Sequence, residues 1–360
     1  MLSPFVRSKW TDSEAADSEA GPLAKLAELT TSSASRSVAA EIHQDLRTAH
    51  WDFGNVEIPT GGHENYKINR KIGTSYDAAA KATLTNIAGQ VEAGSHIASG
   101  QPCVIKVLKP IQMQKVKREI EVLKNLRAGP NIIELLDVVR DDRSNAFWLV
   151  FERVQNTNLR ALLPTLGDYD VRLYMYGLMR ALDYAHMNGI MHRDVKPSNI
   201  LIDNLQHKIR LIDWGLAEVY DLGARYNIRV ASKYYKAPEL LAGFHGYDYS
   251  LDIWSLGTLF AGVIFQREPF FHGDSVPHQL VKIAEVLGSD TLLEYLDKYD
   301  LRLDAEYVSK LTGFPKQSCD EAIDFLEGML KYDHTKRLTA WEALHHPYLE
   351  AVRKQGKFVE

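Results

Sequence analysis

Three side chains in the stretch Met191-His192-Arg193-Asp194-Val195-Lys196-Pro197-Ser198-Asn199 have types and spacing suited to chemistry on phosphate. Asp194 offers a carboxylate that can orient a hydroxyl and take its proton. Lys196 offers a cation for a transferring phosphate, and Asn199 a hard oxygen donor for a small divalent ion. Asp213, in Asp213-Trp214-Gly215, adds a second hard donor fourteen residues after Asn199. Phosphoryl transfer demands little covalent help from a protein. It demands that phosphates, metal and acceptor hydroxyl be held in line with their charge neutralised.

Regular elements must position these groups. Residues 66–72 alternate apolar and polar side chains and predict a strand, and residues 104–108 predict a second. Pro110 breaks that pattern; Met113, Val116, Ile120, Leu123 and Leu126 then recur at helical spacing. Glu119 falls three residues after Val116 and four before Leu123, on the inward face of this helix. Gly129-Pro130 ends it. Apolar runs at 132–139 and 146–154 predict two antiparallel strands. From about residue 156 the pattern becomes helical. Residues 171–190 predict an amphipathic helix, closed by Asn188-Gly189, that leads straight into the stretch around Asp194. Residues 251–265 predict a helix buried on all sides, and 279–287, 320–330 and 340–344 predict further helices. Strands first and helices afterwards predict an α+β chain with two segregated lobes and a cleft between them. Residues 1–40, rich in Ser, Ala, Thr and Glu, read as a disordered tail. The folded domain is expected over 41–360, with a strand-rich lobe at about 50–155 and a helical lobe at about 156–350.

Bulk properties narrow the partners. The 360 residues suffice for a sizeable core, and 45% apolar with 25% charged residues is an ordinary globular balance. A net charge of -5 argues against bulk affinity for nucleic acid or an anionic membrane, so any charge preference must be local. No apolar run approaches the roughly 18 residues of a membrane span. Cys103 and Cys319 are the only cysteines, without metal-ligand spacing, which suits a reducing compartment such as cytoplasm or nucleus. Asp12, Glu14, Asp17 and Glu19 speak against an organelle transit peptide. Thirteen histidines include no H-E-x-x-H pattern, and His345-His346-Pro347 reads as structural.

The stretch around Asp194 resembles the protein kinase catalytic loop H-R-D-x-x-x-x-N, and Asp213-Trp214-Gly215 resembles the D-F-G element with Trp for Phe. The resemblance implies a bilobal kinase fold and a role for each matching residue. Asp194 would orient the acceptor hydroxyl, and Lys196 would contact the transferring phosphate as in serine/threonine kinases. Asn199 and Asp213 would hold magnesium, and Lys106 in Val104-Ile105-Lys106 would pair with Glu119. Ala237-Pro238-Glu239 resembles the A-P-E element, whose Glu239 would pair with Arg337; Asp252 would brace the catalytic-loop backbone. The glycine-rich loop departs from G-x-G-x-x-G-x-V: Gly73 matches the first glycine, Gly89 the third and Val91 the valine, with roughly ten extra residues between. A longer, less tightly closed lid is expected. It leaves two readings, an active ATP-dependent enzyme or a pseudokinase that serves as an interaction scaffold.

Residues 212–218, Arg229-Val230-Ala231-Ser232-Lys233-Tyr234-Tyr235-Lys236, Tyr247-Asp248-Tyr249-Ser250-Leu251-Asp252 and Glu268-Pro269-Phe270-Phe271-His272-Gly273 are similar to the catalytic alpha subunits of casein kinase II. That resemblance implies phosphorylation of Ser or Thr followed by acidic residues. Arg229, Lys233 and Lys236 would offer charge-assisted contacts to the substrate carboxylates. A second basic patch is reduced, with Gln112-Met113-Gln114 before Lys115, Lys117 and Arg118, so a weakened acidic preference is expected. The resemblance also implies magnesium with ATP, and GTP as a second donor, in a pocket narrowed by Val104, Phe151 and Ile212. It implies activity without activation-loop phosphorylation, with His50-Trp51-Asp52-Phe53 matching part of the segment that holds the loop. It implies a regulatory beta subunit too, but Glu92 stands where an apolar anchor is expected, which argues against that partnership. Thr11-Asp12-Ser13-Glu14 in the tail is an acidic-context site in cis.

Overall fold

The alternation of inward and outward side chains along Pro102–Leu108 governs how the strand-rich half is built. In the computed structural model, which describes residues 58, 60–71, 88–108, 113–141, 146–157, 159–162, 165–303 and 321–355, this segment is the fourth of the described strands. The tail at 1–40, His50-Trp51-Asp52-Phe53 and Gly73 lie outside the described residues. The described strands of this half are β1 (Gly61–Gly62), β2 (Tyr66–Lys71), β3 (Ala88–His96), β4 (Pro102–Leu108), β5 (Leu135–Asp141) and β6 (Ala146–Glu152). They form one sheet in the order β1-β5-β6-β4-β3-β2, antiparallel throughout except for the parallel β1–β5 pair.

A period of two sends Cys103, Ile105 and Val107 to one face of β4 and Val104, Lys106 and Leu108 to the other. On the first face Cys103 and Ile105 pack with Val139 and Val150. On the second, Leu108 packs with Val138, Leu149 and the helix α1 (Met113–Asn125) through Val116 and Ile120. Burying each such aliphatic side chain contributes about 1.5–3 kcal/mol, so α1 is held against the face from which Lys106 emerges. Glu119, on the same helical stripe as Val116 and Leu123, is buried with them.

The sequence pattern places the start of the third predicted strand at residue 132, whereas β5 begins at Leu135. Ile132 and Ile133 pair instead with Leu211, through Ile133 N–H to Leu211 O at 3.1 Å, so the early part of the apolar run is spent on the helical half. The run at 146–154 likewise ends as a strand at Glu152.

Helices dominate after residue 156. Beyond the short α2 (Leu159–Leu162), α3 (Asp168–Met187) runs into the two-residue strand β7 (Ile190–Met191). The hairpin β8 (Ile200–Asp203) and β9 (Lys208–Leu211) pairs Ile200 with Leu211, and β10 (Glu218–Val219) pairs with β7. These pairings bring residues 192–199 beside residues 212–217. The short α4 (Pro238–Leu241) precedes α5 (Ser250–Ile264), whose residues from Ser250 to Val263 are all buried, as its unbroken apolar pattern predicts. Farther on come α6 (Val276–Leu287), α7 (Asp290–Lys298), α8 (Glu321–Met329), α9 (Ala340–Leu344) and α10 (Glu350–Gln355). The fold is α+β, a sheet lobe followed by a helical lobe. No described helix is long and apolar enough to cross a membrane.

One ion pair is sealed inside the helical lobe. Arg337 NH1 and NH2 donate to the two oxygens of Glu239 at 2.6 Å each, and both side chains are wholly buried. Arg337 also gives hydrogen bonds to the carbonyls of Lys331, Tyr332 and Ser250. Removing one member of such a pair strands its partner's charge. Glu239→Ala is therefore expected to cost about 3–5 kcal/mol in urea unfolding, and a loss below about 1 kcal/mol would refute this account of the pair.

Candidate active site

Lys106 leaves β4 towards α1 and meets two carboxylates. Its Nζ lies 2.7 Å from Glu119 Oε1 and 3.2 Å from Asp213 Oδ1, with Lys106 and Glu119 both buried. Burial alone would push the Lys106 ammonium down, but Glu119 and Asp213 beside it outweigh that and hold it above its usual range. Burial pushes Glu119 up despite Lys106, and Asp213 adds to the rise. One ammonium facing two carboxylates leaves a net negative charge. That imbalance suits a cation.

Asp213 lies two residues past β9 and holds a left-handed backbone at φ 62°, which Asp tolerates better than most residues. The next residue, Trp214, is buried, with its ring edge-on to His192 at 4.6 Å and its indole N–H 3.4 Å from Leu211 O. His192 Nε2 in turn donates to Ile212 O at 3.0 Å, while its Nδ1 accepts from Asp194 N–H at 3.2 Å. The histidine thus carries its proton on Nε2 and ties the Asp213 segment to the Asp194 loop.

The loop's backbone is fixed from α5. Asp252, in the first turn of that helix and fully buried, accepts from His192 N–H and Arg193 N–H at 2.8 Å each and from His186 Nε2 at 2.9 Å. Burial would raise its carboxyl, but the hydrogen bond and charge of His186, with His192, pull it below its usual range. Arg193 sits at φ 64°, a conformation that costs a non-glycine residue about 1–3 kcal/mol. The paired acceptors of Asp252 compensate, and Asp194 is aimed as a result.

Around Asp194 the contacts are dense. Its Oδ2 lies 2.6 Å from Lys196 Nζ and accepts from Asn199 Nδ2 at 3.1 Å. Its Oδ1 accepts from the Ser232 hydroxyl at 3.2 Å, and that hydroxyl accepts from Lys196 Nζ at 2.9 Å. Asn199 Nδ2 also donates to Asp194 O at 2.8 Å. With its amide nitrogen so engaged, Asn199 Oδ1 is buried and has no hydrogen-bond partner. A buried amide oxygen left in that state costs free energy unless something binds it. Asn199 and Asp213 sit on neighbouring chains, joined by Ile212 N–H to Asn199 O at 2.9 Å. An orphaned oxygen beside a carboxylate, both hard donors, fits magnesium, which takes few protein ligands and keeps the rest of its shell for substrate oxygens. Among the described residues no larger group of His, Cys, Asp and Glu is arranged to hold a metal ion.

The remaining sequence-predicted residues are spread along the same region. Val91 pairs in register with Lys106 across β3 and β4, and Val104 pairs with Phe151 across β4 and β6. Gly89 lies at an irregularity in that first ladder, between Ala88 and Gln90. Ile212 is half-buried between His192 and Asn199. Arg229 is exposed. Lys233 is half-buried, its Nζ donating to Asp274 O at 3.1 Å and lying 4.7 Å from the Tyr234 ring centre. Lys236 turns inward, donating to the carbonyls of Ile228 and Val230 in its own segment, and burial lowers its ammonium despite Asp194. Glu92, on β3, is buried. Ser232, Glu218 and the ring of His192 join the constellation without having been picked out as site residues. Ser232 and Glu218 make their contacts from far away in sequence, and no spacing rule marks them, whereas His192 belongs to the H-R-D-x-x-x-x-N pattern itself.

The protein kinase domain model matches residues 87–349, well over half of the chain, from just before Gly89 to the residue before α10. With the Lys106–Glu119–Asp213 cluster and the Asp194 loop assembled as described, the chain belongs to the protein kinase domain family.

Proposed function

We propose that this kinase transfers the terminal phosphate of ATP to Ser or Thr in acidic sequence contexts, in the manner of the casein kinase II alpha subunits it resembles. One observation carries the reading: Asp194, Lys196 and Ser232 share hydrogen bonds at a single point, beside the unpartnered Asn199 Oδ1. Asp194 is placed to accept the hydroxyl proton of the acceptor, and Lys196 to balance charge on the moving phosphoryl group. Lys106, kept cationic by Glu119, would bind the nucleotide phosphates. Asn199 and Asp213 would hold magnesium, which when bound neutralises charge on the phosphates. Val104, Phe151 and Ile212 would line the base pocket, with GTP as a second donor.

Acidic substrates would be drawn chiefly by Arg229, the exposed member of the basic trio, with Lys233 next to it. The inward turn of Lys236 gives that residue a backbone-bracing task and supports a weakened acidic preference. A buried Glu92 in place of an apolar anchor speaks against a regulatory beta subunit docked there. The second reading, a scaffold without turnover, rests on the separation of Gly73 from Gly89 in the phosphate lid.

Phosphatase-treated protein is expected to label a Ser peptide rich in acidic residues from radioactive ATP. Asp194→Ala should lower that rate about 10²–10⁴-fold; equal rates for the two proteins would favour the scaffold. Asn199→Ala is expected to raise the magnesium concentration giving half-maximal rate by about tenfold or more. An unchanged magnesium titration would remove Asn199 from the metal site. Arg229→Ala should raise KM severalfold for the acidic peptide and leave it unchanged for the same peptide with its acids made neutral. An equal effect on both peptides would show that Arg229 does not read acidic side chains.

A further inference from the structure

Residues 222–238, the stretch that includes Ser232, hold Arg225, Arg229, Lys233 and Lys236 and no acidic residue, in a chain whose net charge is -5. The two lysines are engaged internally, Lys233 by Asp274 O and Lys236 by the carbonyls of Ile228 and Val230. Arg225 and Arg229 are exposed, and neither side chain has a hydrogen bond or ion pair among the described residues. Burial alternates between them: Tyr226 and Val230 are buried and Ile228 half-buried, whereas Arg225, Asn227 and Arg229 are exposed. That period of two sets both arginines on one outward face. The face is also fixed. Arg225 follows a tight turn closed by Ala224 N–H to Asp221 O at 3.1 Å, with Gly223 at φ 78°. Tyr226 N–H donates to His245 O at 2.9 Å, and His245 Nδ1 donates to Tyr226 O at 2.7 Å. The Tyr247 hydroxyl donates to Asn227 O at 2.7 Å, and Arg229 N–H donates to Asn227 Oδ1 at 2.8 Å.

We propose that Arg225 is a further specificity-determining residue, which binds a second acidic side chain of the substrate while Arg229 binds the first. The proposal rests on the reading above of transfer to Ser or Thr in acidic contexts. Two guanidiniums on one face, each without an anion, repel one another and contribute nothing to the fold. A ligand with two carboxylates removes that repulsion and gains charge-assisted hydrogen bonds, for which the planar fork of arginine is well shaped. Spacing selects the ligand. Four residues of extended chain span at most about 14 Å, and an extended peptide returns its side chains to one face every two residues, about 6.6–6.8 Å apart. Acids two or four residues apart in such a peptide can therefore meet Arg229 and Arg225 together. The backbone beneath the arginines is already ordered, so binding fixes little more than the two side chains. Arg229 stands three residues before Ser232, whose hydroxyl reaches Asp194, and Arg225 stands seven before it. The two cations thus impose a separation between acids, where a diffuse positive field would only count them.

The test uses the phosphatase-treated full chain, radioactive ATP and a set of Ser peptides with Glu at every flanking position, changed to Gln one position at a time. For the parent, kcat/KM is expected to fall about two- to fivefold for Gln at each of two positions, which lie two or four residues apart. Arg229→Gln should abolish the effect of one of these positions and Arg225→Gln the effect of the other. Arg225→Lys should retain part of the preference. Arg225→Glu should reverse it, so that a peptide with Lys at that position outperforms the one with Glu, an outcome that a merely structural role for Arg225 would not produce. Because the Arg225 side chain makes no internal bond, the melting midpoints of all three variants are expected near that of the parent. An Arg225→Gln enzyme that loses rate equally on every peptide or on none, or that abolishes the effect of the same position as Arg229→Gln, overturns the proposal. A parent that labels all the peptides alike, or none of them, overturns the acidic reading and Arg225 with it. A parent sensitive to acids but indifferent to Arg225 leaves that reading standing and removes this inference alone.

Discussion

The interaction on which the site most depends is a carboxylate that touches no reacting group. Asp252 is entirely buried, and an ionised group there carries a desolvation cost of several kcal/mol. It stays charged because it accepts two backbone N–H groups and the imidazole of His186, and because it lies in the first turn of α5, where the helix dipole favours negative charge. Those bonds are made to His192 and Arg193, the two residues before Asp194. They hold Arg193 in its left-handed conformation and so set the direction from which Asp194 enters the cleft. A helix buried from Ser250 to Val263 gives this bracket its fixed base. Loop residues placed on such a base can be aimed far more closely than loop residues alone.

A second constraint is charge imbalance. The cluster of Lys106, Glu119 and Asp213 joins the two lobes through one ammonium and two carboxylates, and Asn199, whose backbone carbonyl accepts from Ile212 N–H next to Asp213, has an Oδ1 without a donor. A protein built only for stability would neutralise the second carboxylate and satisfy the amide. Both defects persist on adjacent segments, those of Asp213 and Asn199. That coincidence is a stronger functional signal than either defect alone, since buried ion pairs are common in purely structural settings.

Much of this was legible in the sequence because it follows from local period. Alternation in β4 puts Lys106 on the same face as Leu108, and helical spacing in α1 puts Glu119 on the stripe of Val116 and Leu123. Two independent periods therefore converge on one ion pair. The motif around Asp194 is compact enough for its spacing alone to imply shared chemistry. What escaped was whatever depends on chain segments meeting after folding. Ser232 reaches Asp194 from 38 residues away and Glu218 reaches Arg118 from 100, and neither carries a local mark. Lys236 shows the converse failure. Its neighbours suggested a solvent-facing basic run, yet backbone carbonyls of the same segment claim its ammonium. A charged residue next to other charged residues says little about which way it turns.

The relation of sheet lobe to helical lobe is set behind the cleft, where Glu152 at the end of β6 accepts from Lys208 Nζ at 2.5 Å and from Arg210 Nε at 2.7 Å, both on β9. Burial would raise the Glu152 carboxyl, but these two cations hold it below its usual range, so the tie stays ionic across neutral pH. Glu152 also accepts the backbone N–H of Glu134 at 3.2 Å, which extends the tie to the segment leading into β5. Together with the contact of Lys106 with Asp213, it gives the two lobes a second ionic tie, made by residues far from the first in sequence.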